Sequence, residues 1–269
     1  ARLRGIRTIA EFDTPSHIRS WGLSHPELLS ACDGVHKGSI DPTNNNTYEF
    51  MQNLLREVGT VFPDEYIHLG GDEVDFECWD WNDQIDDYMD RHRMTSFEEL
   101  EGHYIHRLMN TLNESGHKSM VWQEVFENGI QLPPETIVQV WTGDWAQLLD
   151  NITESGLFGI LSSCWYLDDL ETGGDWEKFY EYEPSDFPGN DEQQSRLIGG
   201  EACMWTEVVD DTNIVSRIFP RVSAVAEKLW SQNCASDEDE ARHRLEEHTC
   251  RMKKRGLQAQ PPNGPGFCV

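Results

Sequence analysis

The sequence is poor in positive charge: 21 Lys and Arg stand against 49 Asp and Glu, for a formal net charge of −28. That balance argues against nucleic acid or an anionic membrane surface as a partner, because the counterion-release term would have the wrong sign. It suits work in acid, where part of the charge is titrated away, and it serves plain solubility equally well. No apolar run approaches the roughly 20 residues that a membrane-spanning helix needs. No G-x-G-x-x-G or P-loop follows an early strand, which removes the usual mark of a doubly wound nucleotide-binding sheet. No CxxC or Cys/His cluster suggests zinc. There is no internal repeat beyond a strand–helix unit and no low-complexity linker. Neither an initiator Met nor a signal peptide is visible, and "ARLRG" at the start reads as the end of a helix. The chain is therefore expected to be the C-terminal part of a longer protein.

What is present is a globular composition. The 269 residues, 38% hydrophobic and 26% charged, can bury a sizeable core as one large domain or two small ones. Seven cysteines lie at positions 32, 78, 164, 203, 234, 250 and 268. Three N-x-S/T sequons occur at Asn45, Asn113 and Asn151. Each triplet alone is weak, but with the cysteines they tilt the chain toward the secretory pathway.

Short apolar runs alternate with amphipathic ones. The strand candidates are "IRTIAEF", "EYIHLG", "KSMVWQEV", "TIVQVW", "LFGILSSCWYL" and "SRLIGGEACMW". Between them lie "TYEFMQNLLREVGTVF", "SFEELEGHYIHRLMNTLNESG", "DWAQLLDNITESG" and "DWEKFYEY", and after them "IVSRIFPRVSAVAEKLW" and "DEDEARHRLEEHTCRMKKRG", all with helical spacing. The acids of "SDEDEAR" read as a helix N-cap and first turn. Near-continuous apolar strands mean that both sheet faces are covered, so the fold class is parallel α/β. A (β/α)8 TIM barrel gathers function at the C-terminal ends of its strands, and here those ends are chemically loaded. Asp13 and His17, Asp72 and Glu73, Trp122 and Glu124, Trp141, Tyr166 and Asp168, and Trp205 and Glu207 follow successive strands. Six such units are visible where a barrel needs eight.

The stretch "EYIHLGGDEV" ends one of these strands with two adjacent acids, Asp72 and Glu73. A neighbouring negative charge and partial burial both keep a carboxyl protonated, which suits Glu73 to general acid catalysis beside a charged Asp72. Gly70 and Gly71 let a ligand or another backbone approach closely. A bare "DE" is more often only a helix N-terminus complementing the dipole, and the strand-end position is what shifts the balance. Of the ten tryptophans, Trp122, Trp141, Trp165 and Trp205 fall at separate strand ends, where indole faces would meet the apolar face of a sugar. His17, in "FDTPSH", stands at even odds between a structural and a functional role, and His25, His36 and His68 carry no functional reading.

The motifs "AEFDTPSH", "HLGGDEV", "VWQEVF", "QVW", "CWYLD" and "GGEACMWTE" resemble, in order and spacing, glycoside hydrolase family 20, and within it the lysosomal-type animal β-hexosaminidases. The resemblance runs over essentially all 269 residues. It implies the C-terminal portion of a catalytic TIM barrel over residues 1–269, without its first two strands and without a small N-terminal α+β domain. It also implies a retaining exo-glycosidase acting on terminal N-acetyl-β-hexosamine with no cofactor. The nucleophile would be the substrate's own acetamide oxygen, which forms an oxazolinium ion; the family is an exception to the two-carboxylate scheme.

By the same resemblance, Glu73 would be the acid/base and Asp72 would accept the acetamide N–H. Tyr166 would bind the acetamide oxygen, and Trp122, Trp141 and Trp205 would wall the sugar. Glu207 and Asp168 would hold hydroxyls, and His17 would support the acid. Asp168 followed by Asp169 resembles the β-type subunit that prefers neutral substrates. Cys32 would pair with Cys78 and Cys250 with Cys268, while Cys164 and Cys203, placed inside strands, would be buried free thiols. Cys234 has no assigned fate. A homo- or heterodimer in the lysosome, or secreted or acrosomal, is implied for the parent. The family's sugar-gripping Arg and a further Asp would lie upstream, so the function is expected of the full-length parent, with inactivity of the piece by itself as an alternative. Two other readings compete: a non-catalytic sugar-binding relative, and a glycosidase with a protein nucleophile.

Overall fold

The computed structural model describes residues 1–32, 38–169, 175–231, 237–264 and 268. Six strands follow one another along the chain: β1 Ala10–Glu11, β2 Tyr66–His68, β3 Lys118–Trp122, β4 Ile137–Val140, β5 Phe158–Leu161 and β6 Leu197–Gly200. The chain divides into two compact units, residues 1–139 with 155–158, and residues 140–154 with 159–269.

In the first unit, β1, β2, β3 and β4 pair parallel in chain order, with Ala10 opposite Ile67, Ile67 opposite Ser119 and Val121 opposite Val138. Helices connect them. Asn45–Val61 starts at Asn44, whose side chain accepts the Asn46 N–H, and buries Tyr48, Met51, Leu55 and Val58 as one stripe. Phe97–Glu114 is capped by Ser96 and buries Leu100, Tyr104, Ile105, Leu108 and Leu112 in the same way. With helices over the sheet, β4 is buried at all four residues and β3 at four of five, as the unbroken apolar runs predict. Three α-helices of this unit lie where none is expected: Gln123–Glu127, which takes the end of the strand candidate "KSMVWQEV", and Phe76–Asp80 and Asp83–His92. The acid-rich sequence of the last two masks a real signal: Asp75 and Asn82 are N-caps, and Ile85 and Met89, one turn apart, pack with Trp79 and Leu100.

In the second unit, β5 and β6 pair parallel, with Gly159 opposite Leu197. Both strands are shorter than their apolar runs. Ser162 and Ser163 both turn their N–H groups onto Val140 O, so the ladder stops after Leu161. It resumes only as a single parallel bridge between Tyr166 and Cys203. Cys164 and Cys203 are buried free thiols but lie outside the named strands: Cys164 sits in the intervening turn and Cys203 in the single bridge. The run "IVSRIFPRVSAVAEKLW" forms two helices, Ile214–Ile218 and Arg221–Trp230, because Pro220 has no N–H to continue the first. Trp176–Glu181, Arg221–Trp230 and Glu238–Lys254 share a core of Trp176, Tyr180, Ala224, Ala241 and Leu245. The last of these helices is capped by Asp237 and carries Glu238, Asp239 and Glu240 in its first turn, as read from the sequence.

Disulfides join Cys32 to Cys78 and Cys250 to Cys268, at Cα separations of 5.0 and 5.2 Å. Cys234 lies outside the described residues. Asn45, Asn113 and Asn151 are all exposed on helices. Among the described residues, no helix is long and apolar enough to cross a membrane.

Candidate active site

The chain leaving β1 and the chain leaving β2 are stitched to each other. Thr14 donates its N–H and its hydroxyl to Leu69 O at 3.1 and 3.2 Å. Ser16 Oγ donates to Glu73 O at 3.1 Å and accepts the Asp75 N–H at 3.3 Å. Gly70 and Gly71 have φ values of 80° and 100°, which L side chains rarely adopt. A Cβ on Gly70 would also overlap Asp13, and one on Gly71 would overlap Val125. The glycines therefore bring two backbones into contact, and the consequence is a fixed geometry for the acids that follow.

Asp72 and Glu73 are consecutive yet face different surroundings. The Asp72 side chain is 13% exposed and that of Glu73 60%. The partial burial expected of Glu73 thus falls on Asp72. Glu73 adopts a left-handed backbone, φ 50°, which a non-glycine residue reaches only against a steric cost. His17 does the same at φ 53°. The two left-handed residues meet: His17 Nε2 lies 3.5 Å from Asp72 Oδ2 and 3.4 Å from Glu73 Oε2. One ring nitrogen thus stands between both carboxylates, which gives His17 a supporting place beside the acids.

Three groups to which the sequence reading gave no role complete this cluster. Asp13 hydrogen-bonds Asp72, and burial, followed by the Asp72 carboxyl, pushes the Asp13 acid up to about 9. Asp13, His17 and Asp72 each place one oxygen or nitrogen within 4.8 Å of the others, a closeness that a proton between the two carboxyls explains. His68 is 3% exposed, and its Nδ1 accepts the Gly70 N–H at 3.0 Å. Burial lowers its pKa to about 3, so the ring is neutral and its 3.6 Å approach to Glu11 is no ion pair. Glu11 instead accepts the Trp122 Nε1–H at 3.0 Å. Trp122 is 2% exposed, buried beside the His68 ring with centroids 5.0 Å apart. A sequence signal existed for His68 in the apolar alternation of "YIHLG", where a His between Ile and Leu has to be buried.

In the second unit, Trp141 is half-buried, with its ring centroid 6.3 Å from that of Tyr166. Burial holds the Tyr166 hydroxyl well above its ordinary pKa, so it stays a proton donor. The Leu167 N–H reaches Cys203 O at 2.8 Å and the Cys203 N–H reaches Trp165 O at 2.9 Å, which fixes the segment on both sides of Tyr166. Asp168 Oδ1 accepts the Trp205 N–H at 3.1 Å. Trp205 is 37% exposed, and Glu207 is exposed. Trp165 is not a rim residue: it is fully buried and donates its Nε1–H to Phe179 O at 2.9 Å. Arg221, also passed over, is the anchor of the Asp168 loop. Its Nη1 donates to Leu167 O at 2.6 Å and its Nη2 to Asp169 O at 3.2 Å. A bidentate pair with Asp175, at 2.7 and 2.6 Å, holds the guanidinium in place.

Residues 1–233 match the model of the glycosyl hydrolase family 20 catalytic domain. Mouse β-hexosaminidase subunit alpha is 46% identical across the whole chain, and human β-hexosaminidase subunit beta is 46% identical as well. The chain covers 52% and 49% of those two proteins, so it spans about half the length of the curated relatives it matches. Among solved structures, a Flavobacterium johnsoniae chitobiase superposes with a TM-score of 0.86 at 31% identity, covering 96% of this chain and 41% of that one. The family 20 exo-β-N-acetylglucosaminidase of Vibrio harveyi, solved with N-acetylglucosamine, superposes with a TM-score of 0.87 at 28% identity, covering 97% and 44%. The fold is accordingly the (β/α)8 barrel type of these enzymes, with six βα units in this chain. On a family match over most of its length and on relatives sharing nearly half its residues, the chain belongs to glycosyl hydrolase family 20.

Proposed function

We propose that the protein bearing this chain is a retaining exo-β-N-acetylhexosaminidase. It removes terminal GlcNAc or GalNAc from glycoconjugates or chitin oligomers by substrate-assisted catalysis. The observation that carries the reading is the contrast between neighbours: a buried Asp72 and an exposed Glu73, with His17 Nε2 within 3.5 Å of both. Asp72 accepts the acetamide N–H and orients its carbonyl oxygen, which attacks the anomeric carbon. The bond to the glycosidic oxygen breaks as Glu73 protonates it, leaving an oxazolinium ion. Glu73 then takes a proton from the water that opens that ion, so the β-configuration is restored without a covalent enzyme adduct. His17 holds both carboxylates in register.

Tyr166, a protonated donor, takes the acetamide oxygen in this reading. Trp122, Trp141 and Trp205 line the sugar and acetamide, with Trp122 acting through an edge because so little of it is open. Asp168 and Glu207 take hydroxyls, and the acids at Asp168 and Asp169 favour neutral substrates. The chain represents the C-terminal part of the catalytic barrel, the activity needs the rest of the protein, and no cofactor takes part. Names of the relatives as alpha and beta subunits support a dimer, and the acidic composition, sequons and disulfides support a lysosomal or otherwise secretory address.

The test is Glu73→Gln in the full-length protein, with two aryl glycosides of poor and good leaving ability. Turnover of the poor leaving group should fall by roughly 100-fold or more and that of the activated one far less, since proton donation matters only for the former. A thiazoline analogue of the oxazolinium ion should inhibit the wild type. A wild type that binds sugar but cleaves neither glycoside would point to a sugar-binding relative, and turnover that the thiazoline fails to inhibit would point to a protein nucleophile.

A further inference from the structure

Asp13 is the residue of this cluster that the proposed mechanism leaves unused. It follows β1, and the close approach of Gly70 holds it against the segment carrying the acids. It hydrogen-bonds Asp72, and two carboxyl groups in such contact cannot both ionise at ordinary cost. Each also keeps one buried oxygen without a hydrogen-bond partner, Asp13 Oδ1 and Asp72 Oδ1. A bare buried oxygen costs more on a full carboxylate than on a neutral acid, so one of the pair keeps a proton.

The surroundings decide which. Asp72 has the His17 nitrogen at 3.5 Å, a group able to support its negative charge. Asp13 faces the carboxylate of Glu11, and the Gly71 N–H is the donor that offsets its burial. His68, between these strands, is neutral and offers no charge, and Glu73 turns outward on its left-handed backbone. The proton therefore belongs to Asp13.

We propose that Asp13 is a positioning residue that keeps its carboxyl proton, donates it in a hydrogen bond to Asp72, and thereby holds Asp72 turned to receive the substrate's acetamide N–H. The inference rests on the role given above to Asp72.

The experiment uses the full-length enzyme and 2,4-dinitrophenyl N-acetyl-β-glucosaminide, whose leaving group needs no proton from Glu73. Asp13→Ala removes the donor, and kcat should fall by roughly 100-fold with KM little changed. Asp13→Asn keeps an N–H aimed at Asp72, so kcat should stay within about fivefold of wild type. The wild-type rate should decline as pH rises through about 9, where Asp13 ionises, and Asp13→Asn should lack that limb. A merely structural Asp13 would not make the alkaline limb depend on a carboxyl-to-amide change. An Asp13→Asn enzyme as slow as Asp13→Ala, or one that keeps the limb, overturns the proposal; if Asp13→Ala does not fold, the limb in Asp13→Asn decides alone. Asp72→Asn is measured beside them. If it is slow while both Asp13 variants behave as wild type, this proposal alone falls; if it is fully active, the role of Asp72 and this proposal fall together.

Discussion

At the residue scale, Glu73 shows how function is held at the expense of backbone comfort. Its φ of 50° is a region where a Cβ crowds the following carbonyl, at a cost of roughly 1–2 kcal/mol. Replacing Glu73 by Gly should therefore give a more stable protein than replacing it by Ala, by about 1 kcal/mol, although neither variant can donate a proton. Urea unfolding of the two full-length variants measures this, and an Ala variant at least as stable as Gly would mean the strain is absent. The acid pair itself was legible in "HLGGDEV" because two glycines and two acids at a strand end are an unusual combination. Exposure was not legible. Trp122, Trp165 and Trp205 occupy equivalent places in the strand pattern, yet they are 2%, 0% and 37% exposed. A position at a strand end does not say which way a side chain turns, and that depends on partners such as Glu11 and Phe179 O, which are distant in sequence.

At the scale of elements, the strand–helix alternation could be read from hydrophobic period alone, whereas the ends of elements could not. The apolar run through "GILSSCWYL" continues past Leu161, but the strand stops there because two serine N–H groups share one carbonyl. What orders the segment beyond is Arg221, whose side chain is 4% exposed and whose charge is met by Asp175 at 7%. Nothing in "FPRVSAV" marks that Arg as buried, since Asp175 and the loop carbonyls it serves lie more than 40 residues away. Removing it leaves Asp175 buried and two carbonyls of the 167–169 loop without donors. Arg221→Ala should cost roughly 3–5 kcal/mol, as for other broken buried pairs. Arg221→Lys should recover only part of that, because an ammonium cannot serve a bidentate carboxylate and two carbonyls at once. Chemical denaturation of the full-length variants checks the order, and Lys equal to Arg would show that charge alone matters here.

At the scale of the whole molecule, the buried ionisable groups set a direction for stability with pH. Asp13 and Glu101 are carboxyls whose burial raises them to about 9 and about 8. In the unfolded chain they ionise near 4, so between there and their folded values the unfolded state has lost protons that the folded state keeps. Stability therefore falls as pH rises from about 4 to 9. His68 works the other way: neutral in the fold down to about 3, it takes a proton on unfolding below 6.5, so it subtracts stability only on the acid side. From 6.5 to about 8 the two carboxyls set the slope; from 4.5 to 6.5 they are opposed by His68 and by His103 and His248, which burial also lowers, and the longer span of the carboxyls prevails over pH 5 to 8. The optimum lies in mild acid, and the relief of self-repulsion in a chain of net charge −28 pushes the same way. The melting temperature of the full-length protein should be higher at pH 5 than at pH 8. Glu101 is fully buried, accepts from Asn128 Nδ2 at 2.8 Å and leaves Oε1 without a partner, so a neutral Gln fits its place. Glu101→Gln should flatten the decline between pH 5 and 8, which a purely global charge effect would leave in place, since one charge among 49 acids is a small change. A Glu101→Gln protein with the full wild-type slope would assign the acid preference to net charge rather than to this buried carboxyl.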